Sequence, residues 1–127
     1  AAVGIFPEGT RSRKEKTPFL QKGKTGVARL AARFPNASVI PMSINGAREF
    51  MKPGSLIIMP WKRIDVFIGT PITFAEWASS PSGGDLDDEK VKLLLIKDEH
   101  VRTNEMKKMF RKMTDQIIET LRINGAP

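Results

Sequence analysis

The sequence predicts an α/β fold in which a mixed β-sheet is flanked by helices. Short runs rich in β-branched residues surround one helical segment in the first half of the chain. Two segments with helical periodicity follow in the second half, and the 40% hydrophobic and 28% charged content is typical of a folded domain. The chain starts inside an apolar run, so we expect a fragment whose N-terminal elements are missing.

The first elements are predicted from composition and periodicity. Residues 1–6 are apolar and are expected to form a strand, and residues 7–23 are expected to form a polar, basic loop. Residues 24–34 are predicted to form a helix that ends at Pro35, because four apolar residues recur at helical spacing. That apolar face consists of Val27, Leu30, Ala31 and Phe34.

Three strand candidates follow this helix. Ser38–Ile44 is rich in β-branched residues but contains Pro41, which predicts a sheet edge, a bulge or a strand end at that position. Ser55–Met59 and Arg63–Ile68 are further candidates, separated by a Pro-Trp-Lys turn.

The second half of the chain is predicted to be helical. Residues 79–85 have the composition of a flexible linker, and helices are expected at 86–99 and 103–122. The last helix carries a stripe that we interpret as a core face, with a membrane-facing stripe as the alternative. Its members are Met106, Met109, Phe110, Met113, Ile117 and Leu121. Trp61-Lys62-Arg63 is equally consistent with an interfacial membrane anchor and with an ordinary loop.

Charge is unevenly distributed along the sequence. The net charge is +7, and residues 1–63 carry 12 Lys and Arg against 3 Asp and Glu. Such a positive field attracts nucleic acid, an acidic membrane surface or a phosphorylated small molecule. The absence of Cys excludes disulfides and thiolate metal sites, and a single His excludes a His-rich metal site.

The stretch Phe6–Ser12 directly follows the first predicted strand, where α/β folds place their ligands. Gly9 permits positive φ and close approach of a ligand to the backbone. Arg11 offers a planar set of donors suited to a phosphate, and Glu8 is expected to accept from an arginine or a substrate hydroxyl. The remaining side-chain donors are the hydroxyls of Thr10 and Ser12.

The basic residues continue toward the following helix. Lys22 precedes a glycine and the helix start, whose amide groups favour anions. We therefore expect Arg11, Lys22 and the helix N-terminus to converge on one phosphate.

Three blocks carry a family resemblance. Phe6–Ser12 resembles the phosphate-binding block of the lysophosphatidate acyltransferases, the 1-acyl-sn-glycerol-3-phosphate acyltransferase family. Phe19–Ala32 resembles the Lys-Gly and helix segment that follows in that family, and Val39–Met42 resembles its last block, a strand with an internal proline. The order is that of the family, and the resemblance covers roughly residues 3–75. Thr10 favours lysophosphatidate enzymes over glycerol-3-phosphate ones, which tend to have a second glycine there.

The resemblance implies a glycerophospholipid-acyltransferase-like fold and transfer of a fatty acyl group to lysophosphatidate in phospholipid biosynthesis. By the same resemblance we expect acyl-CoA or acyl carrier protein as the donor, no need for a metal or bound cofactor, and association with the membrane at the cytoplasmic face. Residues 1–78 would be the C-terminal part of the catalytic domain, residues 79–85 a linker and residues 86–127 a helical segment. The resemblance implies an acceptor phosphate site that consists of Glu8, Gly9, Thr10, Arg11, Ser12 and Lys22.

The family's catalytic His-x-x-x-x-Asp motif, in which His is the general base, has no counterpart in this chain. No His precedes His100, so we expect no catalytic residue here and an inactive chain by itself. His100 and Glu105 imitate the spacing, but we interpret His100 as a solvated side chain. Two other functions stay open: a basic nucleic-acid-binding module, which the lack of Tyr and of interleaved aromatics disfavours, and a non-catalytic domain that binds anionic lipid.

Overall fold

The computed structural model describes residues 1–10, 20–51, 56–87, 89–90 and 104–126. Within these ranges the α/β class is confirmed. The helices are α1 (Gly26–Arg33), α2 (Ala47–Phe50), α3 (Phe74–Ser79) and α4 (Asn104–Ile123). The strands are β1 (Ser38–Val39), β2 (Met42–Asn45), β3 (Asp65–Ile68) and β4 (Ile72–Thr73). Most of the helix predicted at 86–99 lies outside the described residues.

The strands form two small antiparallel sheets. β1 pairs with β4 through Ser38 and Thr73, and β2 pairs with β3 from Met42 opposite Ile68 to Asn45 opposite Asp65. The chain therefore runs out along β1 and β2 and returns along β3 and β4.

Pro41 separates β1 from β2, which confirms the strand end that its missing N–H predicts. Its carbonyl oxygen still accepts a hydrogen bond from the Gly69 N–H at 2.7 Å. Gly69 directly follows β3, so this bond links the end of β3 to the proline that separates β1 from β2.

The helix predicted at 24–34 is confirmed as α1, but only Ala31 of its predicted apolar face is buried. Ala28 and Ala31 are buried, whereas Leu30 is on the exposed side and Phe34 is 55% exposed. α1 packs against both α3 and α4, and small alanine side chains let these helices approach closely. The larger side chains consequently lie outside the contact.

The short helix α3 was not predicted, although Thr73-x-x-Glu76 is an N-terminal capping pattern. The Thr73 hydroxyl accepts a hydrogen bond from the Glu76 N–H at 3.2 Å. The helix buries Phe74 and Trp77, whose ring centroids are 5.9 Å apart. The Trp77 indole N–H is satisfied by the Gln116 side-chain oxygen at 2.7 Å, so the ring is buried without losing its hydrogen bond.

The last helix is confirmed as α4, and its apolar stripe is a core face. Phe110, Met113 and Leu121 are buried, and the other members of the stripe are half-buried. The core is formed by α1, α3 and α4 together. Its buried members are Ala28, Ala31, Phe74, Trp77, Ala78, Phe110 and Met113.

Two predicted strands are wrong within the described residues. Residues 1–6 and 56–59 lie outside any ladder, because apolar content alone does not supply a neighbouring strand to accept and donate hydrogen bonds. Residues 56–59 instead end with the Met59 N–H bonded to the Phe50 carbonyl at 2.8 Å.

The segment predicted as a linker is in contact with α4. Lys112 donates to the carbonyl oxygen of the buried Gly83 at 2.7 Å, and Gln116 donates to the Ser82 carbonyl at 2.6 Å. The division of the chain into a catalytic part and a helical segment stays a prediction.

Candidate anion-binding site

The backbone turns sharply in the stretch that sequence analysis singled out. The Gly9 N–H donates to the Phe6 carbonyl at 2.9 Å, and Gly9 has a φ of +72°. This is the left-handed region that glycine enters without steric cost, as expected from its position in the motif.

Two hydrogen bonds hold a distant segment against this turn. The Lys24 N–H donates to the Pro7 carbonyl at 2.7 Å, and the Gln21 N–H donates to a Glu8 carboxylate oxygen at 2.8 Å. The sequence therefore folds so that residues 21–24 lie beside residues 7–9. One Glu8 oxygen accepts from this backbone amide, and the expectation that Glu8 also accepts from an arginine or a substrate hydroxyl stays a prediction.

The predicted site residues are brought together only in part. Glu8 and Gly9 are in the turn, Thr10 is exposed at its end, and Lys22 is exposed on the neighbouring segment. Arg11 and Ser12 lie outside the described residues. Their role at the site therefore stays a prediction, as does the interpretation of His100, which also lies outside the described residues.

Lys24 also lies at this turn, and sequence analysis did not single it out. Its Cδ, Cε and Nζ atoms are 2.9, 3.0 and 3.1 Å from the position that a Cβ on Gly9 would occupy. The side chain thus lies across the glycine face of the turn. The sequence has this second lysine immediately after Lys22-Gly23, but only Lys22 was predicted to bind the phosphate.

The start of α1 lies two residues beyond Lys24. The helix begins with the Arg29 N–H donating to the Thr25 carbonyl at 3.0 Å, and Thr25 makes no side-chain cap. No acidic residue occurs in the first turn. The amide groups at this end therefore add their partial positive charge to that of the lysines, with no carboxylate in the first turn of the helix to offset it.

The C-terminal helix supports the lysine-bearing segment. Gly23 is buried, and a Cβ there would be 2.7 Å from the Thr114 methyl carbon and 2.9 Å from Ile118 Cγ1. Only a glycine allows the backbone between Lys22 and Lys24 to approach α4 this closely. Sequence analysis gave the C-terminal helices no part in the site, and this contact is tertiary.

The arrangement is chemically suited to binding an anion. Two exposed ammonium groups and the amide end of a helix lie on a segment hydrogen-bonded to a glycine turn. A phosphate monoester accepts hydrogen bonds from donors of both kinds.

A comparison with protein families finds a match in the first third of the chain. The family model described as Acyltransferase matches residues 1–45, which include the turn, the lysine segment, α1 and β2. This match supports an acyltransferase. No curated protein and no solved structure matches the chain.

Proposed function

We propose that the chain is part of an O-acyltransferase of the 1-acylglycerol-3-phosphate type and that this portion binds the acceptor phosphate. The acceptor is lysophosphatidate, and the donor is the thioester of acyl-CoA or acyl carrier protein. The free hydroxyl attacks the thioester carbonyl, a C–O ester bond forms, and the C–S bond breaks. The proton of the hydroxyl leaves with the thiol.

The observation that carries the proposal is the docking of residues 21–24 on the glycine turn. The bonds from the Lys24 N–H to the Pro7 carbonyl and from the Gln21 N–H to Glu8 bring the two exposed lysines, Lys22 and Lys24, beside the glycine turn. A phosphate monoester carries about −1.5 to −2 charges at pH 7, so it gains from these two lysines where an uncharged headgroup does not.

The family match supports the coarser part of the proposal, that the chain belongs to an acyltransferase. All three blocks of the resemblance, at 6–12, 19–32 and 39–42, fall inside the matched residues 1–45. The proposal places no catalytic residue in this chain, because a general base of the histidine type is absent from residues 1–99. In the proposal the chain alone is inactive.

The experiment that tests the acceptor site is Arg11→Ala in the complete enzyme. We expect KM for lysophosphatidate to rise by roughly 10- to 100-fold, because the variant loses a charge-assisted hydrogen bond to the phosphate. The KM for the acyl donor should be unchanged. Arg122→Ala is the matched control, since Arg122 is exposed near the end of α4 and bonded to Glu119. Equal losses for donor and acceptor would count against the proposal.

We also propose that the protein works at a membrane surface, at the cytoplasmic face. In the described part of the chain no helix is both long enough and apolar enough to cross a bilayer. Support comes from an exposed apolar segment, in which Leu56 is 97% and Trp61 75% exposed, followed by Lys62 and Arg63. Tryptophan favours the membrane interface, and basic residues attract anionic headgroups.

Sedimentation with vesicles of phosphatidylglycerol and phosphatidylcholine tests the membrane contact. Trp61→Ser should lower the bound fraction several-fold, while Phe34→Ser, which removes another exposed aromatic ring, should leave it unchanged. Identical sedimentation of the Trp61 variant and the unmodified chain would refute a contact through this segment.

A further inference from the structure

We infer that the Lys24 ammonium is a phosphate-binding cation of this site. We also infer that position 9 is glycine partly because a Cβ there would displace the Lys24 side chain. The inference rests on the proposed function and adds a residue that lies outside the phosphate-binding block Phe6–Ser12. It also gives the site a means of distinguishing phosphorylated from unphosphorylated acceptors.

Lys24 is positioned through both its backbone and its side chain. The backbone N–H is fixed by the Pro7 carbonyl at 2.7 Å, and the end of the side chain passes over Gly9. A Cβ on Gly9 would be 2.9 Å from Cδ and 3.1 Å from Nζ, closer than real Cβ atoms normally approach carbon. The missing side chain of Gly9 therefore provides the space that Lys24 occupies.

The charge of Lys24 is available to a ligand. The residue is exposed, and among the described residues no carboxylate forms an ion pair with it. Glu8, the nearest acid along the turn, keeps its negative charge but accepts from the Gln21 amide. The ammonium therefore lies over the turn without a direct carboxylate partner among the described residues.

This placement favours a doubly charged phosphate over a neutral headgroup. Lys24 contributes a full charge beside the partial charges of the α1 amides, and Lys22 lies two residues away on the same segment. A monoacylglycerol offers no charge to either group. Lys24 therefore raises the affinity for lysophosphatidate without raising the affinity for the unphosphorylated lipid.

The test is calorimetric titration of the chain with short-chain lysophosphatidate, with the matching monoacylglycerol as the second ligand. Lys24→Gln should weaken lysophosphatidate binding about five- to tenfold and reduce its salt dependence. Lys24→Arg should retain most of the affinity. Lys107→Gln, which removes an exposed lysine from α4, is the matched control and should bind like the unmodified chain.

A double-mutant cycle tests the part assigned to Gly9. Gly9→Ala inserts the Cβ that displaces Lys24, so Gly9→Ala combined with Lys24→Gln should lose little more affinity than Gly9→Ala alone. Fully additive losses would show that the two positions act independently and would overturn the role of Gly9 as the space for Lys24.

The outcomes separate this inference from the proposed function. If the unmodified chain prefers lysophosphatidate over monoacylglycerol and Lys24→Gln binds equally well, the inference fails and the proposed function stands. If the unmodified chain binds both lipids equally, both fail.

Discussion

Replacement of Gly23 by alanine tests whether α4 supports the segment that carries Lys22 and Lys24. The new Cβ would be 2.7 Å from the Thr114 methyl carbon and 2.9 and 3.2 Å from two carbons of Ile118. Carbon atoms normally pack about 3.5–4.0 Å apart, so the segment and the helix must separate by roughly 1 Å. Thr114 is fully buried and its hydroxyl is bonded to the Phe110 carbonyl at 2.7 Å, so it has little freedom to move.

The cost follows from these contacts. Overpacking of this kind destabilises the folded protein by about 1–3 kcal/mol. Replacing glycine also reduces the conformational entropy of the unfolded chain, which stabilises the folded protein by about 0.4–1 kcal/mol. We expect a net loss of about 1–2 kcal/mol in the free energy of unfolding. For a chain of 127 residues this lowers Tm by roughly 3–10 °C.

The assay is thermal and urea unfolding followed by circular dichroism, with Gly26→Ala as the control. A Cβ on Gly26 meets nothing within 4 Å, and Gly26 begins α1, so this alanine should be neutral or stabilise by up to about 1 kcal/mol. Gly23→Ala should also weaken binding of lysophosphatidate, because Lys22 and Lys24 move with the displaced backbone. A Gly23→Ala protein as stable as Gly26→Ala would refute the contact between this segment and α4.

Three further substitutions test the fold around the site. Thr73→Ala removes the oxygen that accepts from the Glu76 N–H and should cost about 1 kcal/mol in urea unfolding, whereas Thr73→Ser should restore it. Met113→Ala opens a cavity in the core and should cost about 2–5 kcal/mol by the same measurement; a loss below 0.5 kcal/mol, roughly a surface effect, would contradict its burial. The pKa of Glu119 lies below its ordinary value because the carboxylate accepts hydrogen bonds from Arg122, so this ion pair stabilises the fold at neutral pH and is lost as pH falls through the depressed pKa. Arg122→Gln should raise that pKa in an NMR titration, and an unchanged pKa would contradict the pairing.

Helices were predictable from the sequence where apolar residues recur at helical spacing over several turns. α1 and α4 were both expected from apolar residues at helical spacing, and the break at Pro41 was expected from its missing N–H. The buried side of α1 was not predictable in the same way. Small residues at Ala28 and Ala31 form the contact because neighbouring helices approach there, and only the tertiary arrangement determines that.

Strands were predicted less well because a strand depends on its neighbour. Residues 1–6 and 56–59 have the apolar composition of strands but no ladder partner among the described residues. The antiparallel pairing of β2 with β3 could not be derived from either segment alone, since it joins residues 42–45 to residues 65–68.

At the site, the local feature was predictable and the long-range one was not. The left-handed conformation of Gly9 follows from its place in a Pro-Glu-Gly-Thr turn. The position of Lys24 over that glycine depends on hydrogen bonds from Gln21 and Lys24 to residues 7 and 8. Composition indicated that the region is basic, but the structure determines which lysine reaches the turn.

Binding of the acceptor headgroup at the glycine turn is the central claim, and a two-dimensional amide NMR titration with lysophosphatidate tests it most directly. We predict saturable shifts of the Gly9, Lys24 and Gly26 amide signals, with no comparable shifts when the matching monoacylglycerol is added. Shifts confined to other parts of the chain, or equal responses to the two lipids, would contradict the claim.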